Sequence, residues 1–510
     1  MKPKIMYIPL DERPCNYSYP KEIMNISNVP IVLPPFSIMG EKKKPANINK
    51  LQEWILNNID DISHLILSID MFLYGGIVPS RLHKQKVETL KNKLELLEKI
   101  KERNPKLKIY AYNLIMRVPS YNSSDEEPDY YEKYGEKIFE YGALLDKLDR
   151  EKINKDENEK IRTLEESIPT KFLNDYLNRR SINHEINLEM TKLIKDEIID
   201  FLIIPMDDNS EYSFSSKERR KITNYIQENE IMDKIYSYPG ADEVGSILVA
   251  RSFSDIYSYK PKVFIRYSSE KGKNIIPRLE DRPLSESVKY QVIAAGGITV
   301  DNSQIADYIL MVNPPSETTI KEVDGWHSLI NRPEINDPER NLHDFIKSCK
   351  SYINSGFNCA IADVAMVNGS DPVLMKLLKK NRLLDEILSY GGWNTSSNTL
   401  GTVVAHAQIV SFFININQFN KKRMEKSKKF LYLRYLEDWG YQHKIRTEIS
   451  NDLENYSLNY FDLGNKGDLI SKKIKKNLID FSNENLKEFN YDFEVYMPWN
   501  RMFEVGITIK

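Results

Sequence analysis

The chain has 510 residues, 41% hydrophobic and 11% aromatic, with 72 Lys plus Arg against 74 Asp plus Glu for a net charge of -2. That balance gives no electrostatic case for nucleic acid or an anionic membrane surface, and the apolar content excludes a chain dominated by disorder. The length exceeds what one hydrophobic core usually serves, which predicts a large domain of barrel size and a smaller companion.

The N-terminal stretch "MKPKIMYIPLDERP" meets charge and proline too soon to be a signal peptide, and no later run reaches the roughly 18 apolar residues of a membrane span. Its "KIMYIPL" (4–10) is the first of eight short apolar runs. The others are "HLILSID" (64–70), "KIYAYNLIM" (108–116), "DFLIIPM" (200–206), "KIYSY" (234–238), "KVFIRY" (262–267), "DYILMV" (307–312) and "CAIADVAM" (359–366). Each leads into a polar or glycine-rich loop and then into residues with helical spacing, the rhythm of βα units. Eight strands are what a closed barrel needs. The expected fold class is therefore α/β, with a (β/α)8 TIM-barrel-like main domain over 1–410 and a mostly helical C-terminal region, helical or α+β, packed on it over 411–510. The alternative is a barrel-like first half followed by a doubly wound α/β second half, because "PRLEDRPLSESVKYQVIAAGGITVDNSQ" suits either.

Between the runs, "KVETLKNKLELLEKIKERNPKLK" places Leu and Ile at helical spacing and stops before Asn104-Pro105. A charged insertion near 140–198 reads as helices without a core of their own. The Lys-rich stretches "EKKKPANINK" and "NQFNKKRMEKSKKF" are interleaved with other residue types and read as solvated faces. Cys15, Cys349 and Cys359 are odd in number and form no C-x-x-C pair, so neither a disulfide framework nor a zinc knuckle is indicated. Together these features predict a cytoplasmic protein.

The chemistry-bearing residues cluster where the runs end. In βα folds the C-terminal strand ends share one face and that face carries the site. The loops concerned supply Asp11, Glu12 and Arg13; Asp70, Tyr74 and Arg81; Arg117; Asp207, Asp208, Asn209 and Tyr212; Asp242 and Glu243; and Asp363. Within "PMDDNSEYSFSSKE", Asp207 and Asp208 are adjacent at a strand end, where the chain turns and both carboxylates can reach one pocket. Crowded carboxylates do not ionise equally, which yields an acid and an anion at neutral pH, the division of labour that glycoside cleavage needs. A helix cap is the competing use, but "SSKE" offers its own capping box at Ser215 to Glu218. In "GGWNTSSNTLGT" (391–402), Trp393 could stack on a sugar face while Asn394 and Asn398 hydrogen-bond its substituents; a helix cap with a packed Trp, or an anion-binding loop, are the other readings. The sequence contains no H-x-H, H-E-x-x-H, G-x-S-x-G or P-loop pattern. Asp11, Asp70, Asp207, Asp242 and Asp363 could instead hold Mg²⁺ or Mn²⁺.

"YIPLDERPCN", "DMFLYGGIVPSR", "DDNSEY", "GADEVG" and "GGWNTSSNTLGT", in this order over nearly the full length, resemble the bacterial family known as domain of unknown function 4127 (DUF4127). More loosely, the Asp-Asp pair with Trp and Asn loops is similar to retaining glycosidases that use the substrate's 2-acetamido group as nucleophile. That likeness implies that Asp207 orients the acetamide and Asp208 is the general acid, although adjacency does not fix which is which. The reading is a glycoside hydrolase acting on a small carbohydrate or glycoconjugate without a cofactor. It expects no nucleic-acid or membrane partner and leaves the oligomeric state open. Its rivals are a carboxylate-held metal hydrolase or lyase and a non-catalytic carbohydrate-binding or regulatory protein.

Overall fold

The computed structural model describes residues 3–317 and 338–510. All eight apolar runs form strands: β1 (Ile5–Ile8), β3 (His64–Ser68), β4 (Lys108–Tyr112), β5 (Phe201–Ile203), β6 (Ile235–Tyr236), β7 (Lys262–Tyr267), β9 (Tyr308–Asn313) and β10 (Cys359–Asp363). Three short strands join them, β2 (Ile31–Val32), β8 (Ile298–Val300) and β11 (Ser389–Gly391), and an antiparallel ribbon of β12 (Phe493–Tyr496) and β13 (Gly506–Ile509) ends the chain.

The strands do not close on themselves. They form two open parallel sheets, one of six strands in the order β2-β1-β3-β4-β5-β6 and one of five in the order β11-β10-β9-β7-β8. The protein is thus an α/β fold of parallel sheets flanked by helices, and the expectation of a (β/α)8 barrel is corrected: among the described residues no closed barrel forms. Renumbered from its own first strand, the second sheet reads 2-1-3-4-5, the doubly wound order that the first sheet also follows. In such sheets the chain reverses direction at a switch point, between β1 and β3 in the first and between β7 and β9 in the second.

The central strands are buried along their whole length, as "IMYI", "HLILS", "YILMVN" and "CAIAD" show, because helices cover both faces of a parallel sheet and remove the need for alternation. Edge strands β2 and β8 are only half-buried. The helix Val87–Arg103 turns Leu90, Leu94, Leu97 and Ile100 inward and ends at Asn104, as its spacing requires.

Two compact units divide the chain. The first holds 1–12, 30–245 and 279–281; the second holds 13–29, 246–278 and 282–510. In the first, the insertion between β4 and β5 forms helices Tyr131–Arg150, Lys155–Ser167 and Thr170–Lys195. They do gather a small core, in which Ile138, Tyr141, Leu164 and Tyr176 pack with Met116, Val118 and Phe214 from the flanking loop and helix. In the second, helix Ser396–Asn415 runs through residue 410, and helix Lys421–Arg434 continues into a π-helix, Tyr435–Ile445. Among the described residues no helix is long and apolar enough to cross a membrane.

Candidate functional site

In the first unit, strand-end loops that are far apart in sequence converge on two arginines. After β3 the chain makes two short helices, Ile69–Tyr74 and Ile77–Leu82, and the second carries Arg81. Arg117 follows β4, and Asp207 and Asp208 follow β5. Arg81 Nη2 donates to Asp207 Oδ2 at 2.5 Å, and Arg117 Nη1 donates to Asp208 Oδ2 at 2.9 Å. Two glutamates tie the arginines together. Glu126 Oε2 accepts from Arg81 Nη1 at 2.8 Å and from Arg117 Nη2 at 3.1 Å, while Glu127 Oε1 accepts from Arg117 Nε at 2.8 Å and lies 3.4 Å from Arg81 Nη1.

The layering of this lattice decides what a ligand could touch. Side-chain exposure is 3% for Arg81, 10% for Arg117 and 2% for Glu127, against 16% for Asp207, 20% for Asp208 and 15% for Glu126. The cations lie beneath and three carboxylates face outward. Asp208 sits at φ +37°, a left-handed turn that Asp tolerates better than most residues, and this turn lets two consecutive side chains reach different arginines on one side of the chain. Burial, reinforced by the neighbouring Asp207 charge, pushes the Asp208 carboxyl up to about 6 against the pull of Arg117 and Arg81.

The helix that follows is capped by Ser213, whose Oγ accepts from Ser216 N at 3.0 Å, and not by Ser215, which donates to Met116 O from inside the first turn. Neither aspartate serves as the cap. Asn209 is a brace: its Oδ1 accepts from Ser213 Oγ at 3.0 Å and Ser216 Oγ at 3.2 Å, and it is buried. Tyr212 bonds Glu151 and lies under the Arg150 guanidinium, on the outer side of the same turn.

A second group stands at the β1/β3 switch point. Tyr112 at the end of β4, its phenol pushed up first by burial, feels the charges of both Asp11 and Asp70. Burial raises Asp70 to about 6 even though it accepts from Leu114 N at 2.9 Å and Asn113 Nδ2 at 3.3 Å. Tyr74 stacks near His83 at 4.6 Å, with its buried hydroxyl unpaired. Glu12 accepts from Lys42 N at 2.9 Å, and the Lys42 ammonium is paired with Asp125, next to Glu126. Asp242 is buried, as is Glu243, which accepts from Ala241 N at 2.9 Å.

The second unit holds the remaining predicted residues. Trp393 is not an exposed platform: it is 6% exposed, edge-on to Tyr19, and donates from Nε1 to Thr402 Oγ1 at 3.3 Å. Asn394 offers its carbonyl to Asn368 N, Asn398 is buried in the first turn of its helix, and Arg13 lies over the Trp499 ring at 4.6 Å. Asp363 belongs to a buried network in which it accepts from Asn313 Nδ2 (3.0 Å), Asp371 N (2.7 Å) and the Tyr390 hydroxyl (3.0 Å). Burial and the Asp371 charge push Asp363 up to about 7. Burial does the same for Asp438, which accepts from Gly392 N at 2.8 Å and from Arg434 Nη2 at 2.9 Å. Every oxygen of Asp363 and Asp438 has a donor, so this network fixes loops.

Sequence reasoning missed Glu126 and Glu127. Both stand in the acidic loop "SSDEEPDYY", whose composition was visible while its arginine partners were not. Among the described residues no three His, Cys, Asp or Glu side chains are grouped as a metal site; in the first unit the carboxylates turn onto guanidinium groups instead.

Parallel sheets of doubly wound order with an arginine-carboxylate lattice at the strand ends define the class. The family model described as a protein of unknown function (DUF4127) matches residues 5–508, and the chain belongs to that family. No curated protein and no solved structure matches it.

Proposed function

We propose that the first unit carries an acid-base hydrolase site acting on a sugar or glycoconjugate, with Asp208 as general acid and Asp207 as the orienting anion. The observation that carries this reading is the Asp208 carboxyl, raised to about 6 by burial and then by the neighbouring Asp207 charge, with both side chains keeping some exposure at the lattice. A carboxyl that holds its proton near neutrality can deliver it to a glycosidic oxygen as the C–O bond breaks. Water then adds at the anomeric carbon, and the proton it sheds restores the acid. Asp207, held by Arg81, turns toward a hydrogen-bond donor of the bound sugar. Arg117 limits how far the Asp208 pKa rises, and Glu126 couples the two arginines so that both aspartates keep their spacing.

The test is the pH dependence of kcat/KM on aryl glycosides. An acid of this kind gives an alkaline limb near pH 6 in the free enzyme, and Asp208→Asn should abolish that limb. A limb that persists in Asp208→Asn contradicts the assignment.

A further inference from the structure

The charge and layering of the lattice bear on the kind of molecule that binds there. Four carboxylates, Glu126, Glu127, Asp207 and Asp208, surround two guanidinium groups, so the cluster carries more acid than base whether or not Asp208 holds its proton. Both guanidiniums lie beneath, and the side chains with the most exposure are the three acids Asp207, Asp208 and Glu126. A carboxylate or phosphate ligand would meet this layer first and be repelled, with the arginines already engaged behind it. An independent observation points the same way. Glu127 Oε2 is buried without any hydrogen-bond partner, an acceptor left without a donor inside the lattice. Tyr121, half-buried, stands with its phenol group within electrostatic reach of Arg117, Asp208, Glu126 and Glu127. Carboxylate oxygens, which only accept hydrogen bonds when ionised, are what an ammonium group, which only donates, engages. A bare divalent ion needs several oxygens converging at about 2.0–2.6 Å, whereas these carboxylates are engaged by two guanidinium groups.

We infer that this site selects a positively charged amine, and that its substrate is a sugar or glycoconjugate bearing a free, protonated amino group in place of a neutral acetamido or an acidic substituent. The inference rests on the reading of Asp207 and Asp208 as the active pair and names the substrate class for it.

The test is calorimetric titration of the full chain with D-glucosamine, N-acetyl-D-glucosamine, D-glucose, D-glucuronate and, separately, Mg²⁺ and Mn²⁺. Glucosamine should bind at least about tenfold more tightly than the neutral sugars, and the charged pairs should make that preference shrink as salt is raised. Glu126→Gln, checked for folding by circular dichroism, should lose about five- to tenfold in glucosamine affinity and little for glucose. The inference is overturned if glucosamine does not bind, if N-acetylglucosamine or glucuronate matches it, or if a divalent ion binds and displaces it. Failure here is distinct from failure of the hydrolase reading. Asp208-dependent turnover of neutral glycosides without amine preference removes only the amine, and amine preference without Asp208-dependent turnover removes only the hydrolase.

Discussion

Arg117 and Asp208 form the joint on which the site is built: the guanidinium donates from Nη1 to Oδ2 at 2.9 Å while its Nε holds the buried Glu127 at 2.8 Å. One side chain thus serves an outward carboxylate and an inward one. Removing it leaves Glu127 only the 3.4 Å contact with Arg81 Nη1, and its other oxygen already lacks a donor. Arg117→Met should destabilise the protein by about 3–5 kcal/mol in urea unfolding, the loss expected when one partner of a buried ion pair is deleted. A loss below about 1 kcal/mol would show that the lattice is not cohesive.

The raised aspartates should each contribute stability that is lost as pH rises from 5 to 8. Asp208 and Asp70 are raised to about 6, and Asp363 and Asp438 to about 7, against about 3.9 for an unfolded aspartate. Between about pH 4 and 7 each of these carboxyls binds more proton in the folded protein than in the unfolded chain, so its contribution is greatest at the acid end and is lost as it ionises. The half-buried His83 and His184 and the buried His406, pushed down by burial to about 4, 4 and 3, contribute with the opposite sign up to about pH 6.5. Asp175 and Glu494 are lowered, chiefly by hydrogen bonds that outweigh burial, and their contribution is lost only below that window. Because Asp363→Asn removes one titrating group, the melting temperature of that variant relative to wild type should rise between pH 5 and 8, and a difference that falls over that range would contradict this.

Gly240 has φ +127°, and a Cβ built there falls 2.1 Å from Glu243 Oε1. Glu243 is fully buried and bonded to Ala241 N, so it has little room to withdraw. Gly240→Ala should cost about 2–3 kcal/mol through backbone strain and this collision, read by chemical denaturation. A neutral outcome would mean that the loop "YPGADEVG" relaxes freely.

Trp393→Ala should cost about 3–5 kcal/mol, the range for truncating a buried aromatic. It should leave sugar affinity of the folded protein unchanged. Loss of affinity without loss of stability would restore the stacking role.

The strands β1, β3, β4, β7, β9 and β10, four to six residues each, were legible as apolar runs, and the short β5 and β6 were legible because they lie inside the longer runs "DFLIIPM" and "KIYSY". By contrast, β2, β8 and β11 have two or three residues each, and β11 is "SYG". Closure was not legible: βα rhythm is common to barrels and doubly wound sheets, and the order depends on which way each crossover turns. The Asp207-Asp208 pair was visible as charge at a strand end. Its partners were not, because Arg81 lies 126 residues from Asp207 and Arg117 lies 91 from Asp208. "GGWNTSSNTLGT" left open a sugar-stacking Trp and a packed one because its residues are polar, and Thr399 and Thr402 take up Trp393 N and Nε1, which permits burial.

The central claim is that Asp208 donates a proton and Asp207 orients. Asn keeps the shape of each side chain and tolerates the left-handed turn at 208, while removing the titrating group. The measurement is kcat/KM of Asp207→Asn and Asp208→Asn on paired amino-glycosides, one with an alkyl leaving group and one with nitrophenolate. Both variants should lose about 10²- to 10⁴-fold on the alkyl glycoside. Nitrophenolate needs little protonation, so it should restore Asp208→Asn toward wild type and leave Asp207→Asn impaired. Turnover unchanged in both variants, together with a stability loss of about 1 kcal/mol as from a missing structural hydrogen bond, would contradict the account.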